Sequence, residues 1–534
     1  MANSKDSLKD GLMFINERKT FSSTARMDEN GVYYVKAFAP DGTWQGLKYS
    51  DLNLIIAHHK NEMTKKFDRL FKYYKGEHTN IINQPSKADF KPDNRLIINY
   101  PKQLVKAFSG YFAGIAPDIA VTVNDDDGGN QKDIDEANTI LKHFNRLNQV
   151  DKFYSEQAKY VDIFGRSLAF VFQDELGETR VTEIDPRDGF IIYSDDLRKA
   201  PLFAVLYTGK GQGAGATVYD TCNVYANEIH IIKDSVGLNS IQTNVKELLG
   251  LQIGADVSDN AIEFDDSIMN YGRLPMVEFS IDRERMGLYE DVMTLIDAID
   301  SALSEKKNDV DYFGDAFLKI INFALGNPDS DGSIDFRDKR IFEGRTSGET
   351  GNAEIGFVEK PSADETQEHL ITRLVQTMYD ITGIVNLNDR EFTNAASGTA
   401  LKQRLQGMRQ LANTKANSFQ KSMIEIYRCL FNSMLKPDAV DNIEIKSNYT
   451  EPIDLLDISQ SLVNMMNVRA AGGISLETIL SNVSIVKDAQ AEITKIELDR
   501  KTMEQDTDFS IKPVMRGADT VTNSDENESD NGKD

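Results

Sequence analysis

Residues 167–193 read SLAFVFQDELGETRVTEIDPRDGFIIY. Apolar residues recur with a period of two in the runs before and after the short turn DELGE, and again in DGFIIYS. This periodicity, with a glycine in the connecting turn, predicts strands of an antiparallel sheet. The same pattern predicts further strands at 202–208, 217–232 and 274–280.

Helical periodicity surrounds these strands. Residues 51–75 carry apolar side chains at three- and four-residue spacing, and Gly76 is placed to end that helix. A second helical stretch lies at 94–114, with Pro101 in its first turn. Further helices are predicted at 289–313, 365–381, 399–435 and in two patches within 453–503. The longest of these, 399–435, would extend roughly 55 Å, and the whole pattern predicts an α+β fold.

Composition limits the class of function. The chain has 534 residues, enough for several packed substructures, and 85 acidic against 60 basic residues give a net charge of −25. A protein that binds duplex DNA by neutralising phosphates should carry the opposite charge, so sequence-specific DNA binding is not expected. The two cysteines, Cys222 and Cys429, predict no disulfide framework and fit a reducing cytoplasm. We expect neither a signal peptide nor a membrane span.

Charge is sorted between two of the helices. The first, 289–313, is rich in acids, including Glu290, Asp291, Asp297 and Asp300, whereas 399–435 is mainly basic. The acidic residues could simply form a solvated face, or they could line a passage through which a polyanion moves. The basic helix could likewise contact DNA or pair with the acidic surface of a neighbouring subunit, and we favour the second interpretation.

Few motifs indicate chemistry. The glycine-rich segment TGKGQGAGAT (208–217) lacks the helix that a phosphate-binding loop requires, so a hairpin loop is favoured. The adjacent His58 and His59 cannot form an i, i+4 zinc pair on a helix. Residues 327–338 partly match a calcium-binding loop, but a plain acidic turn is the favoured interpretation. We therefore expect no catalytic residues, no cofactor and no resident metal.

The order of several segments resembles the portal proteins of long-tailed phages that infect Gram-positive bacteria. The residues that carry this resemblance are YYKGEH (73–78), NRLIINYPKQLVKAFSGYFAG (94–114), residues 160–193, LPMVEF (274–279) with residues 288–318, and NAASGTALKQRL (394–405). Together they extend the similarity from about residue 50 to about residue 500.

The resemblance implies a portal-protein fold assembled as a ring of about twelve subunits around a DNA channel. It implies an N-terminal segment (1–44), a wing (45–286), stem helix 1 (287–314), an α/β clip (315–363), stem helix 2 (364–385), a tunnel loop (386–398), a long tunnel helix (399–435), a return strand to the wing (436–452) and a helical crown (453–503). Composition predicts that the acidic tail 504–534 is disordered.

The resemblance also implies roles for particular residues. Glu290, Asp291, Asp297 and Asp300 of the stem would line the channel. The tunnel loop would face the DNA through Asn388, Asp389, Arg390, Glu391, Phe392, Thr393 and Asn394. Its Gly383 and Gly398 flanks would let the loop move while the helices stay fixed.

The implied partners are other copies of the chain, the terminase packaging motor, the head–tail adaptor, the major capsid and scaffolding proteins, and non-specific double-stranded DNA, with no membrane. The protein would be part of the virion, at the capsid vertex, after assembly in the host cytoplasm. Two alternatives from other classes are a minor head protein or adaptor, and a packaging nuclease or ATPase. Adaptors are generally much smaller, and the enzymes need a phosphate loop or carboxylate metal cluster that the sequence lacks.

Overall fold

A computed structural model describes most of the chain. The described residues are 18–38, 47, 49–87, 92–123, 131–213, 216–225, 230–234, 262–264, 271, 273–314, 318–321, 323–325, 344–346, 354–357, 364–386, 403–441, 443–449, 463–470, 472–481 and 489–508. The chain divides into two compact units, Met1–Pro452 and Ile453–Asp534.

The helices of the first unit confirm most of the predicted helical segments. In chain order they are α1 (Tyr49–His58), α2 (Thr64–Lys75), α3 (Thr79–Ile82), α4 (Tyr100–Ala113), α5 (Gln131–Asn148), α6 (Val150–Phe164), α7 (Met293–Gly314), α8 (Asp364–Thr382), α9 (Gln406–Met434) and α10 (Pro437–Asp441). The predicted helix 399–435 is confirmed as α9 from Gln406 onward, which spans roughly 43 Å. The sequence analysis did not predict α5 and α6.

Local sequence explains where the first helices begin and end. A π-helical turn, His59–Met63, joins α1 to α2. The α2 helix ends at Gly76, whose φ of 86° lies in the left-handed region that favours glycine. The α4 helix begins after Asn99, whose side chain accepts a hydrogen bond from the backbone N–H of Lys102 at 3.0 Å. Pro101 occupies its first turn, as predicted.

The strands are short and mostly antiparallel. They are β1 (Lys19–Thr20), β2 (Ala25–Met27), β3 (Tyr33–Val35), β4 (Asp118–Val123), β5 (Arg166–Gln173), β6 (Thr179–Ile184), β7 (Gly189–Ser194), β8 (Pro201–Gly213), β9 (Ala216–Tyr225), β10 (His230–Asp234), β11 (Ile262–Phe264), β12 (Met276–Ser280), β13 (Leu318–Ile321), β14 (Phe323–Leu325), β15 (Gly344–Thr346), β16 (Glu354–Phe357) and β17 (Ile443–Asn448). The predicted strands around residues 167–232 and 274–280 are confirmed.

Two sheets form the centre of the first unit. The larger has the order β1-β2-β3-β7-β8-β9-β10-β11, and β3 pairs with β7 in parallel. The smaller has the order β12-β5-β6. Buried side chains from both sheets pack into one apolar cluster, which consists of Leu168, Ile191, Ala204, Leu206, Leu274 and Met276. The alternation in residues 167–193 therefore builds the core between the sheets.

The glycine-rich segment 208–217 belongs to a β-hairpin. Strand β8 continues to Gly213, β9 begins at Ala216, and Lys210 pairs with Tyr219. A strand follows the glycines where a phosphate-binding loop would need a helix N-terminus. The favoured hairpin interpretation is therefore confirmed.

Strand β17 brings the chain back to the first half of the unit. It pairs antiparallel with β4, from Ile443 opposite Val123 to Asn448 opposite Asp118. Helix α9, which precedes it, packs against β12, β17 and α4. The long helix is thus held between elements that lie far apart in sequence.

The second unit is helical where the structure describes it. It contains helical residues 463–470, then α11 (Leu476–Ser481) and α12 (Ala489–Asp508). Gly472, with a φ of 79°, lies in the predicted break between the helical patches. Helix α12 reaches Asp508, past residue 504, where the acidic tail was predicted to begin. The disorder of that tail stays a prediction.

Candidate functional site: the acidic helix and its anchors

The four acidic residues predicted to line a channel lie in different environments. Glu290 and Asp291 belong to a 3₁₀ turn, Glu290–Val292, that leads into α7. Glu290 forms an ion pair with Lys66 at 2.6 Å, and both side chains are about nine-tenths buried. Asp291, one residue later, is exposed. The first turn of the acidic segment is thus anchored to α2 on one side and open on the other.

Asp300 is enclosed completely. Its Oδ2 lies 2.5 Å from Nδ1 of His78, and neither side chain has any exposed surface. Its Oδ1 accepts a hydrogen bond from the backbone N–H of Ile98 at 2.9 Å. A carboxylate that is removed from water needs such hydrogen-bond partners. Through them, Asp300 connects α7 to His78, just before α3, and to Ile98, shortly before α4.

Asp297 is half-buried between these extremes. It accepts hydrogen bonds from the hydroxyl of Tyr73 at 2.8 Å and from the side-chain amide of Asn80 at 2.6 Å. Burial raises the pKa of Asp297, and the two hydrogen bonds only partly offset that effect.

These contacts bear on which of the four acids could line a channel. Glu290 and Asp300 are buried against partners within the subunit. These partners, Lys66, His78 and Ile98, come from segments more than 200 residues away, which the sequence pattern of one helix does not reveal. The channel-lining role stays a prediction, which this burial does not favour for Glu290 and Asp300. Asp291 and the half-buried Asp297 remain candidates.

Helix α8 packs along α7. Nζ of Lys306 lies 3.1 Å from a carboxylate oxygen of Glu368, and the amide of Gln367 donates to Asp309 at 3.3 Å. In the sequence between these two helices, β13 pairs with β16 and β14 pairs with β15, and both pairs are antiparallel. The described parts of the insert 315–363 are therefore two nested antiparallel strand pairs, which lie between α7 and α8 in the sequence. The possible calcium loop, 327–338, lies outside the described residues.

Gly383 and Gly407, which bracket the predicted tunnel loop in the sequence, lie close together. Helix α8 ends before Gly383, which has a φ of 66°. A Cβ at Gly407, in the first turn of α9, would lie 3.5 Å from the carbonyl oxygen of Gly383. Asn388 to Asn394 fall outside the described residues, so their role stays a prediction.

The basic helix has a buried anchor that the sequence analysis missed. Lys415 is one of the basic residues of the predicted helix 399–435, yet its side chain is fully buried and its Nζ lies 2.6 Å from Oδ1 of Asp162 in α6. It also donates to the backbone oxygen of Ala158 at 2.9 Å, and Ser109 donates to the other oxygen of Asp162 at 2.6 Å. Only its spacing among the apolar residues of α9 could have indicated this position.

Burial opposes the charges of this pair. It lowers the pKa of Lys415 and raises that of Asp162, while their mutual attraction acts in the other direction. Three aromatic rings, of Phe108, Phe112 and Phe419, surround the ammonium group at 4.6 to 5.3 Å. The anchor joins α4, α6 and α9 at one point.

The two adjacent histidines are core residues. Nδ1 of His58 lies 3.0 Å from the hydroxyl of Tyr33, and Nε2 of His59 lies 3.1 Å from the carbonyl oxygen of Pro186. Burial lowers the pKa of His58 to about 4 and that of His59 to about 3. Both rings are therefore neutral at neutral pH.

In the part of the chain that the structure describes, no helix is long and apolar enough to cross a membrane. No three His, Cys, Asp or Glu side chains among those same residues are grouped as ligands of a metal ion would be.

Comparison with known proteins settles the family. The family model described as "Phage portal protein, SPP1 Gp6-like" matches residues 53–506, which is most of the chain. The chain belongs to the phage portal protein family. This confirms the resemblance found in the sequence, and portal proteins are structural components of the virion at the capsid vertex, not typical enzymes.

A named phage protein agrees with the family. The portal protein of Bacillus phage SPP1 is 24% identical over 382 residues, which cover 67% of this chain and 69% of that protein. The chain is also similar to a solved structure described as the neck of an empty GTA particle, computed with C6 symmetry. The match covers 70% of this chain and 86% of the chain in that structure. Its identity is 12% and its TM-score is 0.33, too low to support an argument.

Proposed function

We propose that the protein forms a ring of about twelve copies at the capsid vertex, with an axial channel through which DNA enters and leaves the head. The observation that carries this proposal is the match of residues 53–506 to the portal family. The ring would also hold the packaging motor and the head–tail adaptor, and it would contact the capsid and scaffolding proteins during assembly.

The architecture supports an assignment of segments to this ring. Residues 45–286 would form the wing, to which β17 returns by pairing with β4. The packed helices α7 and α8 would form the stem, and the strand pairs between them the clip. The remaining assignments are the tunnel loop at 386–398, the long helix behind it at 399–435 and the crown at 453–503.

Charge suggests how DNA would move through such a ring. Twelve copies of a chain with a net charge of −25 carry roughly −300 in total. A channel wall that repels phosphates lets the duplex slide without being captured. Of the four acids predicted to line the channel, Asp291 is the exposed one that would contribute most directly, with the half-buried Asp297 second. Glu290 and Asp300 would instead hold the stem to the wing.

The tunnel loop offers the sharpest test of the channel. Its acids Asp389 and Glu391 offset Arg390, so its contact with passing DNA would be loose. Replacing residues 388–394 with a Gly/Ser linker of equal length should leave ring assembly intact, because the helices and sheets make the subunit contacts. DNA packaging or retention should fail.

Packaging by this variant is measured as nuclease-protected DNA in assembled heads, and ring formation by native mass spectrometry. Normal packaging would remove the functional role of the loop. Loss of the ring itself would show that the loop is an assembly contact.

A further inference from the structure

A groove with basic edges and an apolar floor lies beside β12. Its volume is about 680 Å³, and it is bounded by β12, by residues 198–201 and by α9. The cationic residues that line it are Arg198, Lys199, Arg273, Arg283, Arg285 and Lys421. Its floor includes Ile191, Leu274 and Met276 of the core cluster. In a chain with a net charge of −25, this local excess of positive charge is unusual.

The acids that line the groove are already paired. Glu278 contacts Arg285 in an almost completely buried ion pair, and Glu425 lies 2.6 Å from Arg273. Burial alone would raise the pKa of Glu278, but the guanidinium groups of Arg285 and Arg166 hold it below its usual value. Both carboxylates are thus committed to existing cations. They leave further positive charge at the groove, of which Arg283 also interacts electrostatically with Glu29 outside it.

Three exposed cations carry that remaining charge. The side chains of Lys199, Arg283 and Lys421 are exposed and form no ion pair with any residue that the structure describes. Lys421 extends from α9, whereas Arg283 lies just after β12, so the charges flank the groove. A ligand with a carboxylate beside an apolar residue would match this arrangement.

The chain itself carries such a segment. The β5–β6 turn, Asp174–Glu178, has the sequence DELGE, and Leu176 at its tip is 86% exposed. Glu175 beside it is also exposed. Asp174 is paired with Arg180 at 2.8 Å and Glu178 with His143 at 3.0 Å, so Glu175 is the acid of this turn that can meet a partner. The turn is preorganised, because the carboxylate of Asp174 accepts hydrogen bonds from the backbone N–H groups of Leu176 and Glu178, each at 3.0 Å. An exposed leucine on a fixed acidic turn is a typical contact element.

The groove and the turn occupy different parts of one sheet. In the order β12-β5-β6, the groove borders the edge strand β12, and the acidic turn closes the β5–β6 hairpin at the end of those strands. One chain therefore carries the two complementary features on separate parts of its surface. Features so placed join copies head to tail, and a head-to-tail contact that closes on itself produces a ring.

We infer that the groove binds the Asp174–Glu178 turn of a neighbouring copy of the chain, with Leu176 on the apolar floor and Glu175 between Lys421 and Arg283. The inference rests on the proposed ring and names one of its subunit contacts. A nucleic-acid backbone is the weaker candidate, because phosphates do not use an apolar floor.

Charge reversal and its rescue test this contact. The groove variant combines Arg283→Glu with Lys421→Glu, and the turn variant is Glu175→Lys; all three residues are exposed, so folding should persist. Each variant should weaken subunit association at least about tenfold. Association is measured by mass photometry, as the fraction of the protein in rings at a series of salt concentrations. Combining the groove and turn variants should restore much of the ring. Leu176→Ser should weaken association without changing its salt dependence.

Matched measurements separate the possible outcomes. Lys65→Glu, at an exposed position of α2, is the control for a change in net charge, and thermal unfolding checks that each variant is folded. Unchanged assembly of the groove and turn variants would overturn the inference while leaving the ring in place. Loss of assembly in the groove variant that Glu175→Lys does not rescue would also overturn it. So would a groove variant that assembles normally and loses only its binding to short duplex DNA. Absence of a ring in the unmodified protein would instead contradict the proposed function.

Discussion

Lys415 and Asp162 form an ion pair of 2.6 Å between α9 and α6, and neither side chain is exposed to solvent. Removing one partner would leave the other charge buried and unpaired, which is costly in a dry interior. The pair therefore fixes the long helix to the helix that precedes the central strands. In the proposed ring, this contact would hold the structure behind the tunnel loop in place.

We expect Lys415→Ala to lower the free energy of unfolding by about 3–5 kcal/mol. The exposed Lys65→Ala should change it by less than about 0.5 kcal/mol. Replacing both partners with apolar residues, Lys415→Met with Asp162→Leu, should cost less than Lys415→Ala alone, because no charge remains buried. Urea unfolding measures these differences, and a Lys415→Ala protein as stable as the unmodified chain would contradict the anchor.

Asp300 and Asp291 offer a second comparison within one helical segment. Asp300→Ala leaves His78 and the backbone N–H of Ile98 without their partner, so it should destabilise the protein by about 2–4 kcal/mol. Asp291→Ala removes an exposed carboxylate and should change stability by less than about 0.5 kcal/mol. Thermal unfolding of the two variants checks this, and equal effects would mean that Asp300 is not the buried anchor described above.

Two glycines with similar backbone angles differ in what surrounds them. Gly165 has a φ of 79° and Gly177 a φ of 76°. A Cβ at Gly165 would lie 2.1 Å from the carbonyl oxygen of Arg285, whereas one at Gly177 would meet nothing within 4 Å. Gly165→Ala should therefore disrupt the approach of the segment before α7 to α6, in addition to the strain of a left-handed alanine.

The expected cost is about 1 kcal/mol for Gly177→Ala. For Gly165→Ala it should be at least about 3 kcal/mol, because a backbone atom has to move. Chemical denaturation of both variants separates strain from collision. Similar costs for the two substitutions would show that the segment at Arg285 can shift freely.

The buried His59 predicts how stability depends on pH. Its folded-state pKa of about 3 lies below the unfolded value of 6.5, because burial and the nearby Arg166 disfavour its charged form. The unfolded chain therefore binds more protons between these values. The contribution of His59 to stability is complete above pH 6.5 and is lost as the pH falls toward 3.

His59→Gln should be less stable than the unmodified protein at pH 7.5, because the packing against Phe190 and Tyr207 is lost. Its loss of stability between pH 7 and pH 5 should be smaller, since the difference between the two proteins isolates the titration of His59. Urea midpoints over this pH range provide the measurement. Parallel pH profiles for the two proteins would contradict a neutral, buried His59.

The periodicity of apolar residues was sufficient to predict helices and strands that are determined by neighbouring residues in the sequence. The alternation of residues 167–193 and the spacing in 51–75 predicted strands and a helix that the structure contains. Glycine at position 76 predicted a helix end for the same reason, since its φ of 86° suits few other residues. The order of such elements was also enough to indicate the portal family.

Contacts between distant segments were not predictable in this way. The pairing of Asp300 with His78 and of Lys415 with Asp162 spans more than 200 residues, so neither charge could be recognised as buried from its own helix. The parallel pairing of β3 with β7 and the groove beside β12 likewise depend on tertiary packing. The acidic and basic faces assigned from helical spacing were therefore only partly exposed.

The central claim is that this chain assembles into a ring with an axial channel. Electron microscopy of the purified protein, with two-dimensional averages of particles viewed end-on, tests it most directly. The account predicts ring-shaped particles of about twelve subunits with a central hole wide enough for a duplex. Particles that remain single subunits or dimers at every salt concentration, or closed discs without an axial hole, would contradict it.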